Sequence, residues 1–148
     1  MSLDKGIANK ILTIGCECNP PRGGIAQVLY NYQMFVYPTF KFVANSGDGG
    51  KVAKVWQLIK AVFDVVAMLR KDGGIQIVHI HTSSYTGFNR SKIFIKIAKA
   101  FGKKVVLHIH GGSFREFYQT SPASISKTLD ACDCIIALSE SWKAFFAR

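Results

Sequence analysis

Two stretches decide the fold: "IVHIHTSSYTGF" (residues 77–88) and "VVLHIHGGSFREF" (residues 105–117). Each is a short run of Ile, Val or Leu that closes on a His-X-His pair and opens into a polar loop containing glycine. Short continuous apolar runs of this kind read as buried strands of a parallel sheet. The two pairs hold all four histidines of the chain. Three roles are open to them: a metal site, passive packing in a core, or the mouth of an active site.

The same pattern extends outward. "KILTIGC" (10–16) is an apolar run closed by the polar, proline-containing "ECNPPRGG". From Ile25, apolar residues at 25, 28, 29, 32 and 35 trace one helix face, which ends by Pro38. "FKFVANS" (40–46) is a second strand, ended by the turn-forming "GDGG". Val52, Val55, Trp56, Ile59, Val62, Phe63, Val66 and Leu69 then keep helical spacing up to "KDGG", where basic residues and glycine stop the helix. The third strand covers 75–81, and a helix over 89–101 stops at Gly102. The fourth strand covers 103–110. Ser121 and Pro122 form a cap and first-turn start for a helix ending near Ala131. "CIIALS" (134–139) is a fifth strand, and Ser139 caps a last helix.

Strands alternating with helices across short loops predict an α/β domain: a Rossmann-like parallel sheet of about five strands with helices on both faces. Residues 1–9 are read as an artificial leader and disordered N-terminus, residues 10–148 as the domain. The end at "SWKAFFAR" reads as a fragment of a longer protein.

At 148 residues and 49% hydrophobic content, the chain is long enough to bury a core without staples. No apolar run reaches the roughly 18 residues of a membrane span, and the N-terminus lacks the apolar centre of a secretory signal. Nineteen Lys and Arg against nine Asp and Glu give a formal charge of +10. That excess favours anionic partners, either a phosphorylated substrate or an acidic membrane leaflet. Nucleic acid is disfavoured, because no aromatic-rich basic recognition motif is present. "CEC" (Cys16, Cys18) and "CDC" (Cys132, Cys134) lack the spacing of a zinc ribbon. One pair ends the first strand and the other begins the fifth, so the two lie at opposite edges of a parallel sheet. A reduced, cytosolic chain is expected.

Ligands of such sheets bind outside the carboxyl ends of the strands. Loops there carry glycines, hydroxyls, Arg22, Arg90, Arg115 and histidines. Gly23 and Gly24 precede a helix, so backbone N–H groups can approach an anion at its N-terminus, with Arg22 beside them. No third glycine completes a dinucleotide fingerprint, and no Gly-Lys-Ser/Thr completes a P-loop. His79 and His81 share a strand face, as do His108 and His110. His79 and His108, flanked by apolar residues, read as packing. His81 and His110 end their strands, and Gly111 and Gly112 leave room for a substrate beside His110. In the strand order 2-1-3-4-5 the pairs sit on neighbouring strands, yet no carboxylate follows either closely, so no metal is assigned. Arg90, Lys92, Lys96, Lys99 and Lys103 give the helix after the third strand a basic face that suits either solvent or anionic lipid.

With its loops placed, the chain resembles the N-terminal half of a family 4 glycosyltransferase of the GT-B fold. "NPPRGGIAQVLYNY", "IQIVHIHTSS", "KKVVLHIHGGSF" and "CDCIIALSESW" carry the likeness, in order and each at a strand end. The resemblance implies a two-domain cleft in which this domain faces a saccharide or lipid-linked acceptor. A nucleotide-sugar donor is then held mainly by a second domain. It implies that Gly23 and Gly24 lie near the donor diphosphate and that His110 points at the transferred sugar as the catalytic contact. It implies neither cofactor nor metal, a role in cell-surface polysaccharide synthesis, and a cytoplasmic site, peripheral on the inner face of the membrane. Arg22, His81, Gly111, Gly112, Ser113 and Arg115 are further substrate-binding candidates. The family's paired donor glutamates are absent here and belong to the second domain. The segment between the second strand and the long helix is also shorter than in relatives. A sugar-nucleotide epimerase of the same architecture and a non-enzymatic basic nucleotide-binding module are the rival readings.

Overall fold

The computed structural model describes residues 2–147. Among these residues, five strands form one all-parallel sheet: β1 (Ile11–Cys16), β2 (Lys41–Ser46), β3 (Ile77–Thr82), β4 (Lys104–Ile109) and β5 (Cys134–Ile136). Their order is β2-β1-β3-β4-β5, with helices packed on the sheet as the sequence predicts. The helices are α1 (Lys5–Ala8), α2 (Gly24–Asn31), α3 (Lys51–Lys71), α4 (Thr86–Ala100), α5 (Phe114–Thr120), α6 (Pro122–Asp130) and α7 (Glu140–Phe146). A π-helical segment, Tyr32–Val36, extends α2.

Strand register assigns side chains to faces. Thr13 pairs with His79, His79 with Val106, and His81 with His108, so these share one face. The alternate residues Leu12, Ile14, Val78, Ile80, Val105, Leu107 and Ile109 take the other face. There they pack with Ala61, Val65 and Leu69 of α3 and with Phe88, Phe94, Ile95 and Ala98 of α4 in the main core. Phe88, Phe94 and Phe114 are fully buried, and truncating any one to alanine costs about 3–5 kcal/mol. The opposite face is covered by α2, whose Ala26 and Leu29 form a second, smaller cluster with Cys18.

Four differences from the sequence reading have local causes. Residues 1–9, expected to be disordered, include α1: the Asp4 carboxylate accepts from the N–H groups of Gly6 (2.9 Å) and Ile7 (3.1 Å), and Ala8 is buried. The loop expected after β4 contains α5, held by the buried pair Phe114 and Phe117 at helical spacing. β5 is three residues long instead of six. In α3 the apolar spacing conflates two stripes. Ala61, Val65 and Leu69 meet the core, whereas Val52 (72% exposed), Val55, Trp56 (67%), Ile59 and Phe63 (70%) face outward.

Asp133, just before β5, ties the sheet to α4. Its carboxylate accepts from the Val105 N–H (2.8 Å) and from Lys99 and Lys104 (both 2.9 Å). These bonds, the Val105 N–H foremost, hold its pKa well below the ordinary 3.8. A depressed carboxylate stabilises the fold fully above its unfolded value, and that contribution drains away as pH falls below it. Thermal melts between pH 7 and 2 are therefore expected to show acid destabilisation setting in below about pH 4, blunted in Asp133→Asn. Equal acid sensitivity of the two proteins would remove Asp133 as its source.

Candidate functional site

The carboxyl ends of β1, β3 and β4 open onto one side of the sheet. α2 begins there without a side-chain cap: Gly23 adopts φ +94°, and a Cβ on Gly23 or Gly24 would meet nothing within 4 Å. Gly23 and Gly24 are exposed, so the start of this helix, the positive end of its dipole, lies at the surface. A cavity of about 330 Å³ lies alongside, lined by Cys16, Glu17, Pro20, Arg22, Ser46, Gly47 and Asp48. Arg22 pairs with Asp48 across it, and both are 68% exposed, so the pair is a weak surface contact. Cys16 and Ser46 also line a smaller cavity of about 40 Å³ with Ile25, His81, Ser83 and Arg90.

His81 and His110 meet, Nδ1 to Nε2, at 3.0 Å. The backbone brings them together: the His110 N–H donates to the Thr82 carbonyl at 2.9 Å, extending the β3–β4 ladder by one residue. Gly111 follows, pressed against Ser84 of the β3 loop so closely that a Cβ would lie 3.0 Å from the Ser84 nitrogen and collide with its hydroxyl. Gly112 is open. Of the other candidates, Ser113 is exposed and precedes α5 without capping it. Arg115 lies 5.2 Å from the Trp142 ring and 5.4 Å from Phe145, stacked on α7 and outside the strand-end cavities.

The rim position expected of His81 does not hold, whereas His79 and His108, expected to pack, are buried. His81, read as lining the rim, is only 3% exposed, because β3 continues through Thr82 and Tyr32 of the π-helical segment covers the ring at 5.6 Å. His79 and His108 are each 6% exposed. The four rings form one cluster: His79–His81 at 4.4 Å, His81–His108 at 4.8 Å and His108–His110 at 4.0 Å between centroids. Burial lowers every pKa in the group, with neighbouring imidazoles adding to it for all but His110. His79 falls to about 4, His108 to about 3 and His81 to about 2. At neutral pH His79, His81 and His108 are uncharged, the form that donates, accepts or ligates. His79, His81 and His108 each offer one ring nitrogen, and these lie within 4.8 Å of one another.

Arg90, half-buried in the first turns of α4, enters the smaller cavity, and its Nε has no partner among the described residues. The sequence placed it in the right loop but offered nothing to separate it from Arg22 or Arg115. Cysteine chemistry is not favoured: burial pushes the Cys16 and Cys18 thiols up. The basic face of α4 is largely engaged within the fold. Lys92 reaches Ser124, Lys99 reaches Asp133, and Lys103 donates to the Ile75 carbonyl. A roomier cavity of about 730 Å³ between β5 and α7 contains none of the expected site residues.

Parallel strands in this order, with a polar mouth at their carboxyl ends, define a Rossmann-like α/β domain. No protein-family model, curated protein or solved structure matches the chain.

The two glycines after His110 are expected to behave differently. Gly111→Ala should destabilise by about 1–3 kcal/mol, lowering Tm by several degrees, because Ser84 must move. Gly112→Ala should leave Tm within a degree or so of the parent. Differential scanning calorimetry checks both, and equal melting temperatures would deny the close approach of the two loops.

Proposed function

We propose that the chain is the acceptor-side domain of a glycosyltransferase. It would move a sugar from a nucleotide-sugar to a hydroxyl of a saccharide or lipid-linked acceptor in cell-surface polysaccharide assembly. The observation that carries this reading is the His81–His110 contact at 3.0 Å, at the strand ends beside an open helix N-terminus. The family resemblance puts donor diphosphate and transferred sugar at these same positions.

In such a transfer the anomeric carbon–oxygen bond to the diphosphate breaks, and the diphosphate leaves with the electron pair. The acceptor oxygen forms the new bond and passes its proton to the departing diphosphate. Charge grows on the leaving diphosphate. The first turn of α2 at Gly23 and Gly24, with Arg22 and Arg90 nearby, supplies N–H dipoles and cations to receive it. His110 stays neutral at pH 7 because burial lowers its pKa. Whichever ring donates in the His81–His110 bond, His110 keeps its Nδ1 for a sugar hydroxyl. A second domain would close the cleft and hold the nucleotide.

In the full-length enzyme, His110→Ala is expected to slow transfer about 10²–10³-fold, the usual cost of one lost transition-state hydrogen bond. The assay is release of nucleoside diphosphate in the presence of acceptor, scanned over a panel of nucleotide-sugars. Unchanged rates would take His110 out of the mechanism. No turnover with any donor would sink the assignment.

We also assign the membrane contact to α3. Val52, Val55, Trp56, Ile59 and Phe63 fall within one arc of about 100° on the helix, opposite its core face. Exposed Lys51 and Lys60 flank the arc on either side, so apolar insertion and attraction to anionic headgroups act together. Trp56 fluorescence should shift to the blue on vesicles containing anionic lipid and not on neutral ones. A Trp56→Ser, Phe63→Ser variant, followed by sedimentation, should bind such vesicles at least tenfold more weakly. Undiminished binding would move the contact elsewhere.

A further inference from the structure

His79, His81 and His108 are each more than nine-tenths buried on the sheet face opposite the main core. A neutral imidazole presents one N–H donor and one lone pair, and buried ones normally satisfy both. Here Nε2 of His79, Nε2 of His81 and Nδ1 of His108 find no hydrogen-bond partner among the described residues. Three buried imidazoles from two adjacent strands, each with an unpaired nitrogen, make an arrangement that packing alone does not account for.

We propose that His79, His81 and His108 bind one divalent transition-metal ion of the zinc class, tying β3 to β4 behind the strand-end mouth. Each residue offers a ring nitrogen, and the three lie within 4.8 Å of one another. An ion about 2.0–2.1 Å from each nitrogen sets their separations near about 3.3 Å, so inward rotation of the rings by about an ångström closes the site. Imidazole ligands select zinc, cobalt, nickel or copper over magnesium and calcium. His110 acts as the outer partner. With His81 donating from Nδ1 to His110 Nε2, the tautomer of His81 is fixed and its Nε2 lone pair is bare for the ion. The inference does not rest on glycosyl transfer, and its test reads binding, not turnover.

The chain is produced without a polyhistidine tag, kept off metal-affinity resin, and analysed by inductively coupled plasma mass spectrometry. About one equivalent of a zinc-class ion is expected per chain. After stripping with EDTA, adding Zn²⁺ at a hundredfold above its Kd should raise Tm by about 5–10 °C. Co²⁺ should give visible d–d bands without the near-ultraviolet charge transfer of thiolate ligands. Both signals should vanish in His79→Gln and His108→Gln and persist in a Cys16→Ser, Cys18→Ser variant. If the histidine variants fail to fold, the Co²⁺ spectrum of the unaltered chain decides. Nitrogen-type bands support the site, and absent bands or a thiolate band overturn it. Substoichiometric metal with no change in Tm also overturns it.

Discussion

The two-residue alternation of β3 and β4 is the constraint on which the structure depends. Val78, Ile80, Val105, Leu107 and Ile109 must all face α3 and α4, and they are almost wholly buried there. A slip of one residue in either strand would turn these side chains out and drive histidines into the main core. The apolar face therefore fixes the register, and the register then dictates the other face. His79, His81 and His108 are brought together because the residues between them are committed to the core. They were not recruited one at a time.

The mouth follows from the same ladder. Parallel pairing carries β3 and β4 to one edge of the sheet, and the His110 N–H to Thr82 carbonyl bond extends the pairing past the last strand residue. That bond sets His110 against His81 and presses Gly111 onto Ser84. After the neighbouring strand, α2 starts at the second of two glycines, the first with φ +94°, so the helix opens at the same edge. A helix N-terminus, a guanidinium and His110 then share one rim, following β1, β3 and β4 in turn, with His81 hydrogen-bonded beneath it.

Much of this was legible in the sequence, and the gaps have physical reasons. Strand order and polar loops are visible because apolar runs and glycine stops act locally. The two stripes of α3 are not separable by period alone: Val55 and Leu58 both belong to apolar helical series, and only the packed sheet selects the one containing Ala61 and Val65. α5 was readable from Phe114 and Phe117, three apart behind Ser113, but the glycines before it suggested a loop. The burial of His81 was hidden because it depends on Tyr32, forty-nine positions earlier, folding over it in a π-helical turn. Local pattern reports a strand end; only tertiary contact reports what covers it.

That cover has an energetic consequence. Each unsatisfied buried ring nitrogen costs about 1–3 kcal/mol, so three of them offset a large part of the roughly 5–15 kcal/mol by which a domain is stable. Apolar residues at 79, 81 and 108 would avoid the cost without disturbing the register, since the core face is built from the alternate positions. A polar cluster that the fold does not need, held neutral by burial and aimed inward, is then best accounted for by something that binds the folded chain and not the unfolded one. Such a ligand returns the lost stability by mass action. It also locks the strand ends that carry His110, so the rigidity of the mouth and the occupancy of the histidine face become one property.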